Sequence, residues 1–355
     1  MPSAKPSVRP ASSQQNRSVR ILVLGGSVFL GRAFVVEALQ RKHQVTTFNR
    51  GITGSDVPGV EVVRGDREVS RDLERLVHGR HWDAVVDVCG FVPRVVGVSA
   101  RLLCGHADSY LFVSSISAFQ GWPKEQVDED SPLYKCPADA GPANGDYGEL
   151  KAGCERAVLE AFDARVLVIS PGLILGPDEN VGRLPWWLRR IARGDRVLAP
   201  GDPSREMQVI DARDIASFGL DQISIDATGR FLTSGVRGNT TFGGLLADCV
   251  AATGSDAELV WVDEAFLVEH GVEEWTELPL WTTGGPDTAA VWLPSSAKAL
   301  AAGLRCRPVS ETVRDTWEWV SSGGADALPV YRELPQHGID PTKEQTILAA
   351  WAARS

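Results

Sequence analysis

The segment that decides the fold is Arg20-Ile-Leu-Val-Leu-Gly-Gly-Ser-Val-Phe-Leu-Gly31. Its first part is an apolar run over residues 21–24, which predicts a strand buried on both faces. A glycine-punctuated turn follows over residues 25–31, and an amphipathic pattern continues to about Gln40. A buried strand, a tight turn and a helix in this order are typical of the first unit of a parallel sheet.

The same alternation continues along the next 130 or so residues. Strands are predicted over Gln44–Phe48, Val60–Arg64, Ala84–Cys89, Tyr110–Ser115 and Val166–Ser170, and helices over Asp72–Val77, Val95–Leu103 and Gly148–Phe162. This pattern predicts an α/β fold of the Rossmann type, in which helices cover both faces of a doubly wound parallel sheet. Ligands of such sheets bind at the carboxyl ends of the strands.

Composition excludes several classes of function. The 355 residues are 43% hydrophobic, enough for a sizeable core, and carry a net charge of -10, so we expect no nucleic-acid partner. No apolar run approaches the roughly twenty residues of a membrane span, and residues 1–17 lack the apolar core of a secretory signal. We therefore expect a cytoplasmic protein. The six cysteines and six histidines are scattered, which predicts reduced thiols and no metal site.

The glycine turn is a candidate phosphate site. Main-chain amides in a tight turn can approach a pyrophosphate, and the positive end of the following helix faces it. A purely structural turn is the alternative, but the position between a first strand and a helix favours a dinucleotide. The residues concerned are Gly25, Ser27, Phe29, Leu30 and Gly31.

The second strand ends at Asn49-Arg50, where a carboxylate would favour NAD and a basic residue would favour NADP. Arg50 therefore favours NADP(H) over NAD(H), although it could equally be a solvated loop cation. Asp66, after the third strand, could accept a bond from the adenine amino group or cap a helix.

Tyr147 and Lys151 stand four residues apart, which places them on one face of a helix. An ammonium beside a phenol makes the phenol an easier proton donor or acceptor. Taken alone, such a pair is more often a core tyrosine and a solvated lysine, and its sequence context reverses that preference.

These features occur together with several others in a characteristic order. The set comprises Gly-Gly-Ser-Val-Phe-Leu-Gly, Phe48-Asn-Arg-Gly51, Gly65-Asp-Arg67, Phe112-Val-Ser-Ser-Ile-Ser117, Tyr147-x-x-x-Lys151, Pro171-Gly-Leu-Ile-Leu-Gly-Pro177 and Gln208-Val-Ile-Asp-Ala-Arg-Asp214. Over about residues 19–320 the chain resembles the extended and atypical branch of the short-chain dehydrogenase/reductase superfamily. Within that branch it is most similar to the bacterial subgroup often labelled NAD-dependent epimerase/dehydratase.

The resemblance implies roles for individual residues. Tyr147 would be the acid/base, Lys151 would hold the nicotinamide ribose, and Ser115 would hydrogen-bond the reacting oxygen, with Ser117 as the alternative. Further cofactor contacts would come from Arg67, Cys89, Pro171, Gly172 and Leu173. Ser117, Trp122, Trp186 and Arg205 are the candidate substrate contacts, and Arg205 falls where relatives that act on nucleotide sugars often hold the diphosphate. The alternatives are that Trp186 packs the core of the second lobe and that Trp122 is an exposed loop aromatic.

Three departures from the family pattern bear on function. Val28 replaces the usual middle glycine of the turn, and Ser170 replaces an arginine before Pro-Gly. No Asp-Glu pair follows Ser115, so the acid and base that a nucleotide-sugar 4,6-dehydratase needs to eliminate water are missing.

Beyond Gly172 prolines and tryptophans accumulate, which indicates a change of domain. We expect a disordered tail over 1–17, an NAD(P)-binding domain over 18–172 with a return segment near 205–235, a smaller α/β substrate-binding lobe over 173–204 and 236–320, and a C-terminal extension over 321–355 with a terminal helix beginning at Asp340-Pro341.

Three functions remain open. The first is an NADP-preferring oxidoreductase acting on a ketone or secondary alcohol of a sugar-like or specialised-metabolite substrate. The second is a nucleotide-sugar epimerase that retains NAD, and the third is a catalytically silent dinucleotide-binding scaffold. The resemblance also makes a homodimer possible, since homodimers are common in extended members, but no stripe of this sequence singles out an interface.

Overall fold

Seven parallel strands form the central sheet in a computed structural model that describes residues 18–326 and 337–354. The tail expected over residues 1–17 lies outside the described residues. The strands of the described chain are β1 (Arg20–Leu24), β2 (Gln44–Asn49), β3 (Glu61–Arg64), β4 (Ala84–Asp87), β5 (Ser109–Val113), β6 (Arg165–Pro171), β7 (Leu173–Leu175), β8 (Arg196–Pro200), β9 (Glu206–Met207), β10 (Val209–Asp211), β11 (Gly229–Thr233), β12 (Thr240–Thr241) and β13 (Glu258–Val262).

Some of the helices cover the two faces of the central sheet, and the others lie in a second lobe described below. They are α1 (Phe29–Gln40), α2 (Ser70–Val77), α3 (Pro93–Leu103), α4 (Tyr147–Ala161), α5 (Arg183–Ala192), α6 (Ala212–Ser224), α7 (Phe242–Thr253), α8 (Glu264–Glu269), α9 (Ala297–Ala301), α10 (Val309–Ser321) and α11 (Pro341–Ala352), with a short 3₁₀ helix at Ile116–Ala118.

The order of the central sheet is β11-β6-β5-β4-β1-β2-β3. After β3 the chain crosses to the other side of β1, so β1 and β4 are neighbours. This is the topological switch point at which a crevice opens beyond the carboxyl ends of the strands. The predicted doubly wound parallel sheet is confirmed.

Both faces of the sheet are buried along its inner strands, whereas β3 at the edge has no buried residue. Phe34 of α1 and Ile215 of α6 lie in one apolar core, whereas Leu73 of α2, Leu103 of α3 and Val158 of α4 lie in the other. Strands covered on both faces explain why the sequence shows continuous apolar runs rather than alternation.

Two strands are shorter than the sequence pattern predicted. β4 ends at Asp87 rather than Cys89, because the Asp87 carboxylate accepts the Cys89 N–H at 3.1 Å and turns the chain out of the sheet. β5 ends at Val113 rather than Ser115, because the Ser115 hydroxyl caps the 3₁₀ helix instead of continuing the strand. Both turns place side chains at the crevice.

A second lobe is formed by strands β7 to β10, β12 and β13 with helices α5, α7, α8, α10 and α11. Its apolar core surrounds Trp187 and Trp281, both fully buried. Between α6 and β12 the chain returns to the central sheet, where β11 pairs with β6. Helix α11 begins where the sequence predicts, because the Asp340 carboxylate accepts the N–H groups of Thr342 and Lys343. No helix in residues 18–326 or 337–354 is both long and apolar enough to cross a membrane.

Candidate active site

The glycine turn connects β1 to α1 at the crevice. Gly26 has a φ of 96°, and a Cβ there would lie 3.0 Å from Val35. A Cβ at Gly31 would lie 2.9 Å from the Gly26 nitrogen, so α1 packs directly on the turn. Val28 is extended with a φ of -139°, and the helix starts at Phe29. The tight turn and the helix start fit the pyrophosphate of a dinucleotide.

The side chains around this turn have different roles. Those of Phe29 and Leu30 point into the apolar core, so these residues can contact a cofactor mainly through their main chain. The Ser27 hydroxyl lies 3.1 Å from the Thr53 hydroxyl, which joins the turn to the loop after β2.

The loop after β2 brings a carboxylate to the strand end. Asp56 Oδ1 accepts a bond from Asn49 Nδ2 at 3.2 Å, and both Asp56 oxygens accept bonds from the Arg64 guanidinium. The sequence shows only Asn49-Arg50 at this strand end, but the fold also brings the Asp56 carboxylate there from seven residues further along the chain. Arg50 is 56% exposed, and its guanidinium lies 3.9 Å from Asp66.

Asp66 is mainly engaged with the chain around it. Its carboxylate accepts the Glu68 N–H, and its own N–H donates to Asp72 of α2. These bonds organise the turn into α2. A contact from Asp66 to adenine stays a prediction.

Arg67 forms a buried ion pair beneath the end of β4. Its guanidinium donates two bonds to Asp87, at 2.8 and 2.9 Å, and the Tyr110 hydroxyl donates to the same carboxylate at 2.8 Å. Burial opposes ionisation of Asp87, but Arg67 and Tyr110 outweigh it and hold the Asp87 pKa below its ordinary value. The Arg67 guanidinium is thus already paired within the protein. It also donates to the Cys89 sulfur at 3.4 Å, and burial raises the pKa of that thiol.

Tyr147 and Lys151 lie on α4, one helical turn apart. Tyr147 is the first helical residue and is 52% exposed, following a capping box between Asp146 and Glu149. Lys151 is 2% exposed, and its Nζ donates to the Val113 main-chain oxygen at 2.9 Å. Both residues therefore lie on one face of α4, as the spacing predicts, with the phenol exposed and the ammonium buried at the end of β5.

The ammonium also contacts two aromatic rings. Lys151 Nζ lies 4.9 Å from the ring centre of Phe91 and 5.1 Å from that of Phe112. Sequence reasoning missed Phe91, although its place just beyond β4, in Cys89-Gly90-Phe91, is a signal for a residue at the crevice.

The two candidate serines lie beside the start of α4. Ser115 and Ser117 are both half-buried, and the Ser115 hydroxyl accepts the Ser117 N–H at 3.1 Å. A Cβ at Gly148 would overlap the Ser117 main-chain oxygen, so the helix start packs on this serine. Ser114 is buried and bonds to Glu155. Ser115 does cap the 3₁₀ helix, and its bond to a reacting oxygen stays a prediction.

The end of β6 forms another wall of the crevice. The Gly172 N–H donates to the Thr233 main-chain oxygen at 3.0 Å, and a Cβ at Gly172 would overlap the Ser234 hydroxyl. Ser170 is fully buried, and its hydroxyl has no hydrogen-bond partner among the described residues. Pro171 ends β6 and Leu173 begins β7, so all three predicted cofactor residues lie at this strand end.

The three other substrate candidates make contacts in the second lobe. Trp122 donates its indole N–H to the Val291 main-chain oxygen at 3.4 Å, and Trp186 packs edge-to-face on Trp187. The Arg205 guanidinium donates to the Thr282 main-chain oxygen and lies 2.7 Å from Glu264. Their contact with a substrate stays a prediction. Among the described residues, no group of three or more His, Cys, Asp or Glu side chains is arranged to hold a metal ion.

The fold and site define an extended short-chain dehydrogenase/reductase. The profile described as NAD dependent epimerase/dehydratase family matches residues 21–220, more than half of the chain. The chain belongs to this family.

Individual relatives are more distant. The chain is 28% identical over 206 residues to 2'-dehydrokanamycin reductase of Streptomyces kanamyceticus, covering 56% of each protein. It is 24% identical over 252 residues to the chloroplast stem-loop binding protein of 41 kDa b of Arabidopsis thaliana, covering 66% of this chain and 63% of that protein. The matches thus span less than two thirds of these relatives.

A solved structure shows the same fold. The Bordetella bronchiseptica enzyme WbmH, in complex with NAD+, superposes with a TM-score of 0.66 at 15% identity, over 87% of this chain and all of that one.

Proposed function

We propose that this chain transfers hydride between NADP(H) and a ketone or secondary alcohol of a sugar-like or specialised-metabolite substrate. The observation that carries the proposal is the exposed Tyr147 phenol one helical turn from the buried Lys151 ammonium, at the carboxyl edge of a sheet with a dinucleotide turn. Family membership supports the use of a nicotinamide dinucleotide.

The roles follow from the chemistry of each residue. A nicotinamide dinucleotide bound in the crevice supplies or accepts the hydride. As charge grows on the carbonyl oxygen, Tyr147 donates its phenolic proton to that oxygen and Ser115 donates a hydrogen bond. Lys151 lies on the same face of α4, and its positive charge stabilises the phenolate form of Tyr147. Gly25 to Gly31 would hold the pyrophosphate through main-chain amides.

Two observations support the reductase direction and the choice of NADP(H). The relative from Streptomyces kanamyceticus is named 2'-dehydrokanamycin reductase, a name that describes reduction of a dehydro compound, and the match covers 56% of it. Arg50 is exposed at the end of β2, where a cation can reach a 2'-phosphate. Ser117, Trp122, Trp186 and Arg205 remain the proposed substrate contacts.

An epimerase with retained NAD is the second candidate. The observation that favours it is the Asp56 carboxylate at the end of β2, because a carboxylate there suits the free ribose hydroxyls of NAD. The same Tyr147 would then serve oxidation and re-reduction of one carbon.

The deciding experiment is titration of the purified protein with NADPH and NADH, after release and identification of any nucleotide already bound. Exchangeable NADPH, followed by ketone-dependent NADPH oxidation that Tyr147→Phe abolishes, is the expected result. Tightly held NAD without net turnover would instead favour the epimerase. Failure to bind either dinucleotide would contradict both, whereas binding without turnover or a retained NAD would favour the catalytically silent scaffold.

We further propose a cytoplasmic homodimer. All six cysteines are free thiols, which suits a reducing compartment. Helices α3 and α4 pack side by side and leave Val98 and Leu159 exposed, a surface on which a second copy could dock. Light scattering after size-exclusion chromatography would give the mass, and a monomer at micromolar concentration would contradict the dimer.

A further inference from the structure

The loop between β2 and β3 closes one end of the cofactor crevice. It leaves β2 at Asn49 and returns toward the glycine turn, where the Thr53 hydroxyl lies 3.1 Å from the Ser27 hydroxyl. Val57 then anchors the loop in the apolar core. The polar side chains of this loop therefore border the position of an adenosine ribose, which a doubly wound sheet places at the end of β2.

Arg64 reaches this position from the neighbouring strand. Asn49 and Arg64 are register partners at the ends of β2 and β3, and Arg64 Nη1 donates to Asn49 Oδ1 at 2.6 Å. The guanidinium then lies across Gly51, where a Cβ would come within 2.7 Å of Arg64 Nε. Glycine at position 51 is what permits this close approach.

Asp56 occupies the fork of this guanidinium. Its two carboxylate oxygens accept bonds from Arg64 Nη1, at 3.0 Å, and from Arg64 Nη2. A two-point contact of this kind is also the one that guanidinium groups make with phosphate. The Arg64 bonds, against a smaller opposing effect of burial, hold the Asp56 pKa below its ordinary value, so the carboxylate is ionised at neutral pH.

The charges at this end of the crevice balance. Arg64 is paired with Asp56, and Arg50 lies 3.9 Å from Asp66. A 2'-phosphate carries a charge of roughly -1.5 to -2, so the Asp56 carboxylate would repel it. The phosphate would also compete with Asp56 for the two N–H donors of the Arg64 guanidinium. A ribose hydroxyl would meet neither obstacle, because it can donate to the same carboxylate.

We propose that Asp56 determines cofactor preference by occupying, on Arg64, the place that the 2'-phosphate of NADP would take. The inference rests on the proposed use of a nicotinamide dinucleotide, but not on which dinucleotide the wild-type chain prefers. In this arrangement Asp56 limits the affinity for NADP(H). If Asp56 were neutral, the Arg64 guanidinium could bind the 2'-phosphate instead. Arg50 adds a second positive charge from the solvent side.

The test compares NADPH and NADH dissociation constants of the full chain, by fluorescence titration, for the wild type, Asp56→Asn, Arg64→Gln and the double variant. Asparagine keeps the shape and the bond from Asn49 but removes the charge. The NADPH preference of Asp56→Asn should rise about tenfold. The gain should vanish in the double variant, because the fork that receives the phosphate is then missing.

Asp83→Asn is the matched control. Asp83 is paired with Arg20 at the amino ends of β4 and β1, away from the crevice, and is exposed to a similar extent, 24% against 22% for Asp56. Its substitution should leave the preference unchanged. Arg64→Gln alone gives an independent reading, since it leaves the Asp56 carboxylate without its counter-charge and should weaken NADPH several-fold more than NADH.

An unchanged preference in Asp56→Asn, with a thermal unfolding curve like that of the wild type, would overturn the inference. A gain that persists without Arg64 would do the same. A wild type that prefers NADH would contradict the proposed NADP(H) use, yet a shift in Asp56→Asn would still support the role of Asp56. Absence of binding of either dinucleotide by every variant would overturn both.

Discussion

Lys151 donates a 2.9 Å hydrogen bond from its ammonium to the main-chain oxygen of Val113, the last residue of β5. The bond ties the helix that carries Tyr147 to the strand that leads into Ser115. It also holds a buried charge against the rings of Phe91 and Phe112, so the ammonium stays beside the crevice before any cofactor arrives.

Tyr147→Phe should lower kcat by about 10²- to 10⁴-fold, because it removes the proton that neutralises the developing alkoxide. The phenol is half exposed, so the dissociation constant for the cofactor and the unfolding temperature should change little. Steady-state kinetics and fluorescence titration would show the separation. Turnover near the wild-type value would refute the acid/base role.

Lys151→Met should lower turnover by about 10²-fold, since an apolar chain of similar length removes the charge that favours a phenolate. It also leaves the Val113 oxygen without its donor, at a stability cost of roughly 1–3 kcal/mol. Lys298→Met is the matched control, because Lys298 also donates to a main-chain oxygen, that of Arg230, and lies over a phenylalanine ring. Equal activity losses in both variants would argue against a catalytic role.

Arg50→Ala should weaken NADPH binding by about tenfold and NADH binding by less than twofold, because Arg50 is exposed and can approach a 2'-phosphate but has little to offer a ribose hydroxyl. Arg101→Ala, on the exposed surface of α3, serves as the control for loss of one positive charge. Comparable losses of affinity for NADPH and NADH would contradict the role of Arg50 in cofactor preference.

Asp87→Asn should destabilise the protein by about 3–5 kcal/mol, because it leaves the Arg67 guanidinium buried without its counter-charge. Tyr110→Phe, which removes one bond to the same carboxylate, should cost only about 1 kcal/mol. Urea unfolding at pH 7 would measure both.

The same ion pair predicts a pH dependence. The pKa of Asp87 is lower in the folded chain than in the unfolded chain, so its stabilisation is present above the unfolded value of about 3.9 and is lost as the pH falls below it. The acid-induced loss of stability below about pH 4 should therefore be shallower in Asp87→Asn than in the wild type. Parallel curves would contradict the assignment.

Glu344→Ala should release helix α11 from the second lobe. Glu344 is buried, pairs with Arg190 at 2.8 Å and accepts the Leu198 N–H at 3.1 Å. Its truncation leaves the buried Arg190 guanidinium without a counter-charge, which should lower the free energy of unfolding by about 3–5 kcal/mol. Hydrogen exchange over residues 341–352 should accelerate before that of β1. Glu318→Ala, at an exposed position of α10, should leave exchange unchanged.

Much of the site could be predicted from local sequence. The glycine turn, the helix that begins at Tyr147 and the cap at Asp340 each depend on residues a few positions apart, and the structure shows all three. The contact of Lys151 with Phe91 joins residues sixty positions apart, so no local pattern could reveal it. The commitment of Arg67 to Asp87 likewise arises from the pairing of strands.

By itself, the sequence determined the doubly wound sheet, the family and the Tyr147–Lys151 face of α4, because hydrophobic periodicity and helical spacing are properties of neighbouring residues. The tertiary structure alone decided the charge at the end of β2. There the loop folds Asp56 back onto Arg64, and only the three-dimensional path of the chain determines which carboxylate meets which guanidinium.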